Sequence, residues 1–146
     1  MRLFILFLIS ITSFNAAATE GYDAKNIIGK WLCIDDGPNF LEVSNTEYEK
    51  NTFRSFLHAV VLKNTTGAII ELSSQSSGTW KLMGNTLQQQ VDKVTLKALN
   101  KESEQYATPQ NESPEDKIVE FKIYKLENDA ISYWTDTDGL VFCIRK

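Results

Sequence analysis

Apolar and polar residues alternate with a period of two along much of the chain, the pattern of half-buried β-strands. It is clearest over residues 117–126, where Val119, Phe121 and Ile123 fall on one face and Glu120 and Lys122 on the other. Similar segments over 30–35, 52–63, 68–73, 78–83, 86–96, 130–135 and 140–145 bring the strand count to eight. Turn signals separate them: Asp36-Gly37-Pro38-Asn39, Thr65-Thr66-Gly67, Gly84-Asn85, Glu127-Asn128-Asp129 and Asp138-Gly139. Two stretches fit less well. Residues 40–48 are poorly patterned and are read as a connector. Residues 52–63 also fit helical spacing through Phe53, Phe56, Leu57, Val60 and Val61, but their β-branched and aromatic content favours a strand. The polar run 73–77 lies between two strands, and residues 100–115, rich in Glu, Asn, Ser, Gln and Pro, are expected to form an exposed loop. Eight sequential strands with little helix predict an all-β, eight-stranded antiparallel up-and-down barrel.

The two cysteines lie near opposite ends of this strand series, Cys33 on the first strand and Cys143 on the last. If these strands pair antiparallel with the cysteines opposed, the facing numbers sum to 176 and Trp31 faces Arg145. Facing residues are close enough for both a disulfide and a cation–π contact. Pairing of first and last strands also closes the barrel and removes its edges. Leu32, Ile34, Phe142 and Ile144 alternate as cleanly on the opposite face, so the pattern alone does not decide which face points inward.

Composition sets the setting. Met1-Arg2, an apolar run over residues 3–14 and Ala16-Ala17-Ala18 have the order of a secretory signal peptide, with cleavage expected after Ala18. The apolar run is too short to span a bilayer, so no integral membrane segment is expected after cleavage. Residues 19–146 then form a single domain with 14 basic and 19 acidic residues, a net charge near −5. That balance argues against nucleic acid as a partner. Two cysteines in an exported chain, secreted or periplasmic, read as one disulfide. Asn64 and Asn111 begin glycosylation sequons, which matter only in a eukaryotic secretory pathway.

The stretch from Tyr22 to Trp31 resembles the opening of lipocalin-like (calycin-type) barrels, where a short helical turn precedes a Gly-x-Trp on the first strand, here Gly29-Lys30-Trp31. Ser77-Gly78-Thr79-Trp80-Lys81-Leu82-Met83-Gly84-Asn85 is similar to the mid-chain segment of small bacterial lipocalin-like domains. The resemblance implies that Gly29, Trp31 and Arg145 close one end, a basic last-strand residue packing over the Trp, and it favours the Trp31 face as the inner one. The family's C-terminal helix has no counterpart after residue 145.

Candidate chemistry is sparse. His58 is the only histidine, which excludes a two-histidine metal site within one chain. Asp35-Asp36 and Asp136-Thr137-Asp138-Gly139 are better read as turn formers than as acid–base or calcium groups. Nucleophile motifs, phosphate loops and Cys-x-x-Cys pairs are missing. No enzyme, cofactor or metal is therefore expected. Trp80, Trp134, Phe121 and His58 are the candidate pocket residues. If Asp138-Gly139 is a two-residue hairpin loop, Trp134 faces Cys143 and joins the plug around the disulfide. The expected function is a non-enzymatic exported binding protein, a monomer holding a small apolar or amphipathic ligand in its barrel. The alternative is an inhibitor or interaction module that engages a protein partner, such as a hydrolase, through its loops.

Overall fold

The computed structural model describes residues 21–63, 65–107, 117–135 and 139–146. Within them eight strands run in sequence: β1 (Gly29–Gly37), β2 (Phe40–Tyr48), β3 (Thr52–Lys63), β4 (Ala68–Met83), β5 (Thr86–Ala98), β6 (Lys117–Leu126), β7 (Ala130–Trp134) and β8 (Leu140–Arg145). Each pairs antiparallel with the next, and β8 returns to β1 to close the barrel. No helix among the described residues is long and apolar enough to cross a membrane. The signal-peptide segment and both sequon asparagines lie outside the described residues.

The strand count of eight hides two errors that cancel. Residues 40–48 are a full strand, β2, not a connector. Residues 68–83 are one strand of 16 residues, not two. The polar run 73–77 stays extended because β3 and β5 flank it on both sides and supply its ladder bonds. Residues 52–63 form a strand, and the helical alternative fails.

The closing register is the one that opposes the cysteines. Cys33 faces Cys143 and Trp31 faces Arg145, and Cys33 and Cys143 are joined by a disulfide of S–S 2.05 Å. Trp31, Cys33 and Asp35 are buried on the inner face of β1. Ile34, Phe142 and Ile144, on the opposite face, are exposed.

Trp134 does not face Cys143. It pairs with Leu140, and Ile131 occupies the place opposite Cys143. The link between β7 and β8 spans residues 135–139, with the backbone N–H of Thr135 donating to the carbonyl of Gly139 at 3.0 Å. That shifts the register by three from a two-residue loop, an odd number that turns Trp134 to the outer face.

Residues 100–107 are largely exposed, as expected, but they form helical turns and not an irregular loop. Asn100 caps a 3-10 turn (Lys101–Ser103) through a capping box: its side chain accepts from the Ser103 backbone N–H at 3.0 Å, and its own N–H donates to the Ser103 hydroxyl. A four-residue α1 (Glu104–Ala107) follows. Residues 108–115 of the expected loop lie outside the described residues.

Candidate functional site

The interior has two halves. At the end where β1 begins, Asp23 caps a short 3-10 turn, Ala24–Asn26, that lays Ile27 across the barrel mouth. The Trp31 indole N–H donates to the Ile27 carbonyl at 2.7 Å. Arg145 lies over the Trp31 ring with its guanidinium carbon 4.2 Å from the centroid. Its nitrogens donate to the carbonyls of Asn26, Ile28 and Asn128 at 2.9, 2.7 and 2.5 Å. Gly29 makes this latch possible. Its φ is +137°, and a Cβ there would sit 2.3 Å from Arg145 Nη1. Above the latch, Tyr48, Phe53, Trp80, Leu87 and Ile123 are all buried in one core cluster. Trp80 meets Tyr48 edge-on at 5.4 Å and donates its indole N–H to the Glu49 carbonyl at 2.8 Å.

Further along the same strands the inner lining changes character. Asp35 and Glu42 are cross-strand partners on β1 and β2. The inner positions that continue around the sheet include buried Ala59, the partner of Glu42, and half-buried Ser44, Leu57, Leu72 and Ser74. A bulge in β5 shapes this region. Ser77 faces Lys93 while Gly78 faces Val91, so Asp92 is an extra residue and the inward set moves from Leu87, Gln89 and Val91 to Val94 and Leu96. Gly78 is required at that point, because a Cβ would fall 1.9 Å from the Gln90 carbonyl oxygen. Among the described residues β5 has no pairing to β6 beyond Val91, and Val94 and Leu96 are exposed at 43% and 41%.

The polar groups in this half form one neighbourhood. Gln89 donates to the Tyr48 hydroxyl at 2.6 Å. Burial drives the Tyr133 hydroxyl pKa far above its usual value, with Tyr48, Asp35 and Glu42 adding to the rise. Tyr48 is likewise shifted far up by burial, against a smaller opposing effect of its Gln89 bond. The carboxyls of Asp35 and Glu42 are both raised, first by burial and then by a neighbouring carboxylate, Asp36 for the former and Asp35 for the latter. Among the described residues neither carboxylate has a hydrogen-bond or ion-pair partner. No group of three or more His, Cys, Asp or Glu in the described residues is placed to hold a metal ion.

The sequence-predicted pocket residues divide between the two sides of the wall. Phe121 lines the interior, its ring 4.9 Å from that of Tyr133. Trp80 belongs to the plug at the closed end. Trp134 is on the outside, and so is His58, which bonds Glu71 Oε1 at 2.9 Å. Neither of these two lines the barrel. Glu42, Gln89 and Tyr133 escaped sequence reasoning, and Asp35 was read only as a turn former.

A separate groove of about 510 Å³ crosses the outer face of β1 to β5, where Lys30, Arg54, Lys93 and Lys146 outnumber Glu47. Glu47 pairs with Lys30 and Arg54, each at 3.6 Å. The outer wall is thus cationic where the open half of the interior is anionic. No protein-family model matches the chain, and no curated protein matches it in sequence.

Proposed function

We propose that this is an exported, non-enzymatic binding protein with a lipocalin-like barrel, and that it holds a small amphipathic ligand in the half of its interior away from the Trp31 plug. One observation carries the reading. Leu57, Leu72, Ser44 and Ser74 point inward by register and are only half-buried, and Tyr133 and Phe121 pack on the core cluster while keeping part of their surface accessible, which supports reading them as the lining of a space. The closed half, by contrast, buries its large inward side chains Trp31, Tyr48, Phe53, Trp80 and Leu87. The disulfide and the signal-peptide pattern support export to an oxidising compartment, secreted or periplasmic.

Native mass spectrometry of the mature chain purified from its own host tests the reading. Retention of a small molecule that unfolding releases is the expected result. A mass equal to that of the bare polypeptide, together with no binding of added amphiphiles, would count against it.

A second reading has its own observation. On the outer wall Ile34, Phe142, Ile144, Leu140 and Trp134 form a continuous exposed apolar strip along β1, β8 and β7. Such a strip suits contact with a protein partner, as in an inhibitor or interaction module. Co-purification of a secreted protein that is lost in a Phe142→Ser variant would favour it.

A further inference from the structure

The chamber proposed above is lined unequally with respect to charge. Asp35 and Glu42 face each other across β1 and β2, at the separation where like charges destabilise a strand pair. Arg145 faces inward at the closed end with its nitrogens committed to three backbone carbonyls, while Lys63 and Lys117, inward by register, lie exposed at the ends of β3 and β6. Asp35 adds an independent sign. It is only 8% exposed, and no donor among the described residues reaches its carboxylate. No buried side-chain oxygen among the described residues lacks a partner, so the unpaired Asp35 oxygens are open to the space in front of them. The rings of Tyr133 and Phe121 stand in the same space, one tilted on the other at 4.9 Å.

We infer that the chamber takes an organic cation, a protonated amine joined to an aromatic or short aliphatic body. Its ammonium group sits between Asp35 and Glu42, and its body rests against Tyr133 and Phe121. This rests on the reading of the interior as a ligand chamber and goes beyond it by fixing the ligand's charge. An ammonium offers several donors to two carboxylates that have none, and it removes their mutual repulsion. The aromatic faces add cation–π attraction. A fatty acid or other organic anion would bring a third negative charge into the same space. The Tyr48 hydroxyl, already bonded by Gln89 at 2.6 Å, closes the chamber floor without adding a cation.

The test uses the mature full-length chain and three probes with one common body: 2-phenylethylamine, 2-phenylethanol and phenylacetate, each titrated calorimetrically at neutral pH. The amine is expected to bind about tenfold or more tighter than the alcohol, the scale of a charge-assisted hydrogen bond, and the carboxylate weakest of the three. Asp35→Asn and Glu42→Gln are each expected to lower the amine affinity several-fold while leaving the alcohol unchanged. Equal binding of amine and alcohol would overturn the charge assignment and leave the chamber standing. Tightest binding by phenylacetate would also overturn it, with the cationic outer groove as the site to examine. No binding by any of the three would remove the chamber together with its charge preference. These comparisons among probes on the wild-type chain decide the matter even if a variant fails to fold.

Discussion

Trp31, Tyr48, Phe53 and Trp80 point inward at one end of the barrel and are buried. A few rungs along the same four strands the inward residues include Asp35, Glu42, Leu57, Ala59, Ile70 and Ser74, of which the small Ala59, Ile70 and Asp35 are buried and Glu42, Leu57 and Ser74 only half-buried. Hydrogen bonding follows the same division. In the closed half the Thr46 and Ser55 hydroxyls meet at 2.8 Å, and Tyr48 receives Gln89. In the open half Asp35 and Glu42 find no partner among the described residues. One wall therefore carries a stabilising end and an end that gives up stability, and such a surrender is the usual mark of a site.

The largest expected effect concerns what holds the two ends on one closed wall. Replacing both cysteines, Cys33→Ser with Cys143→Ser, should lower the unfolding free energy by about 4–5 kcal/mol on the chain-entropy model, for a bridge that separates its partners by 110 positions. Denaturant midpoints measure it. A loss below about 1 kcal/mol would mean that the strand ladder closes the barrel unaided.

Next in size is the contrast itself. Phe53→Ala in the closed half should cost about 3–5 kcal/mol. Leu57→Ala, two inward positions along on the same strand, should cost well under 2 kcal/mol, because it removes surface that water already reaches. Equal losses would show that the open half is packed as tightly as the closed one and would end the comparison.

Smaller again is the latch. A double-mutant cycle of Trp31→Phe with Arg145→Met should give a coupling of about 0.5–2 kcal/mol, the range for a cation–π contact between exposed and desolvated limits. A coupling near zero would reduce Arg145 to a donor for carbonyls.

The smallest effect has the most informative sign. Asp35 and Glu42 have raised pKa values, with Asp36 contributing to the first, so the folded chain holds these protons more tightly than the unfolded chain. Stability should then fall as pH rises through the ordinary carboxylate range towards the raised values. Asp35→Asn should flatten part of that slope and make the protein more stable at neutral pH. Midpoints measured from about pH 4 to pH 7 test this, and a variant less stable at neutral pH would show that the carboxylate has a stabilising partner.

How legible these features were in the sequence depended on whether hydrophobicity pointed inward. The closure was readable from four residues, because cysteine pairing fixes a register and Trp31 with Arg145 then follows by arithmetic. Strand β2 was unreadable for the opposite reason. Its inward positions are Glu42, Ser44, Thr46 and Tyr48, while Leu41 and Val43 face outward, so the expected pattern is inverted. The same inversion hid Glu42 as a site residue, and nothing local marks Gln89 or Tyr133 as its neighbours across the barrel. A strand whose polar face points inward gives the very signal that sequence reading takes for a connector. Trp134 was misplaced by loop length alone, since the span from 135 to 139 sets a register that Asp-Gly by itself does not announce.

The bond between the first and last strands also decides how the protein meets mechanical force. A pull applied outside the two cysteines passes straight from Cys33 to Cys143 and bypasses the intervening chain. At an extended length of about 3.3–3.6 Å per residue, roughly 360–400 Å of polypeptide is shielded from tension while the bridge is intact. The barrel then behaves as a short inextensible link, and reduction turns the same chain into a long compliant tether.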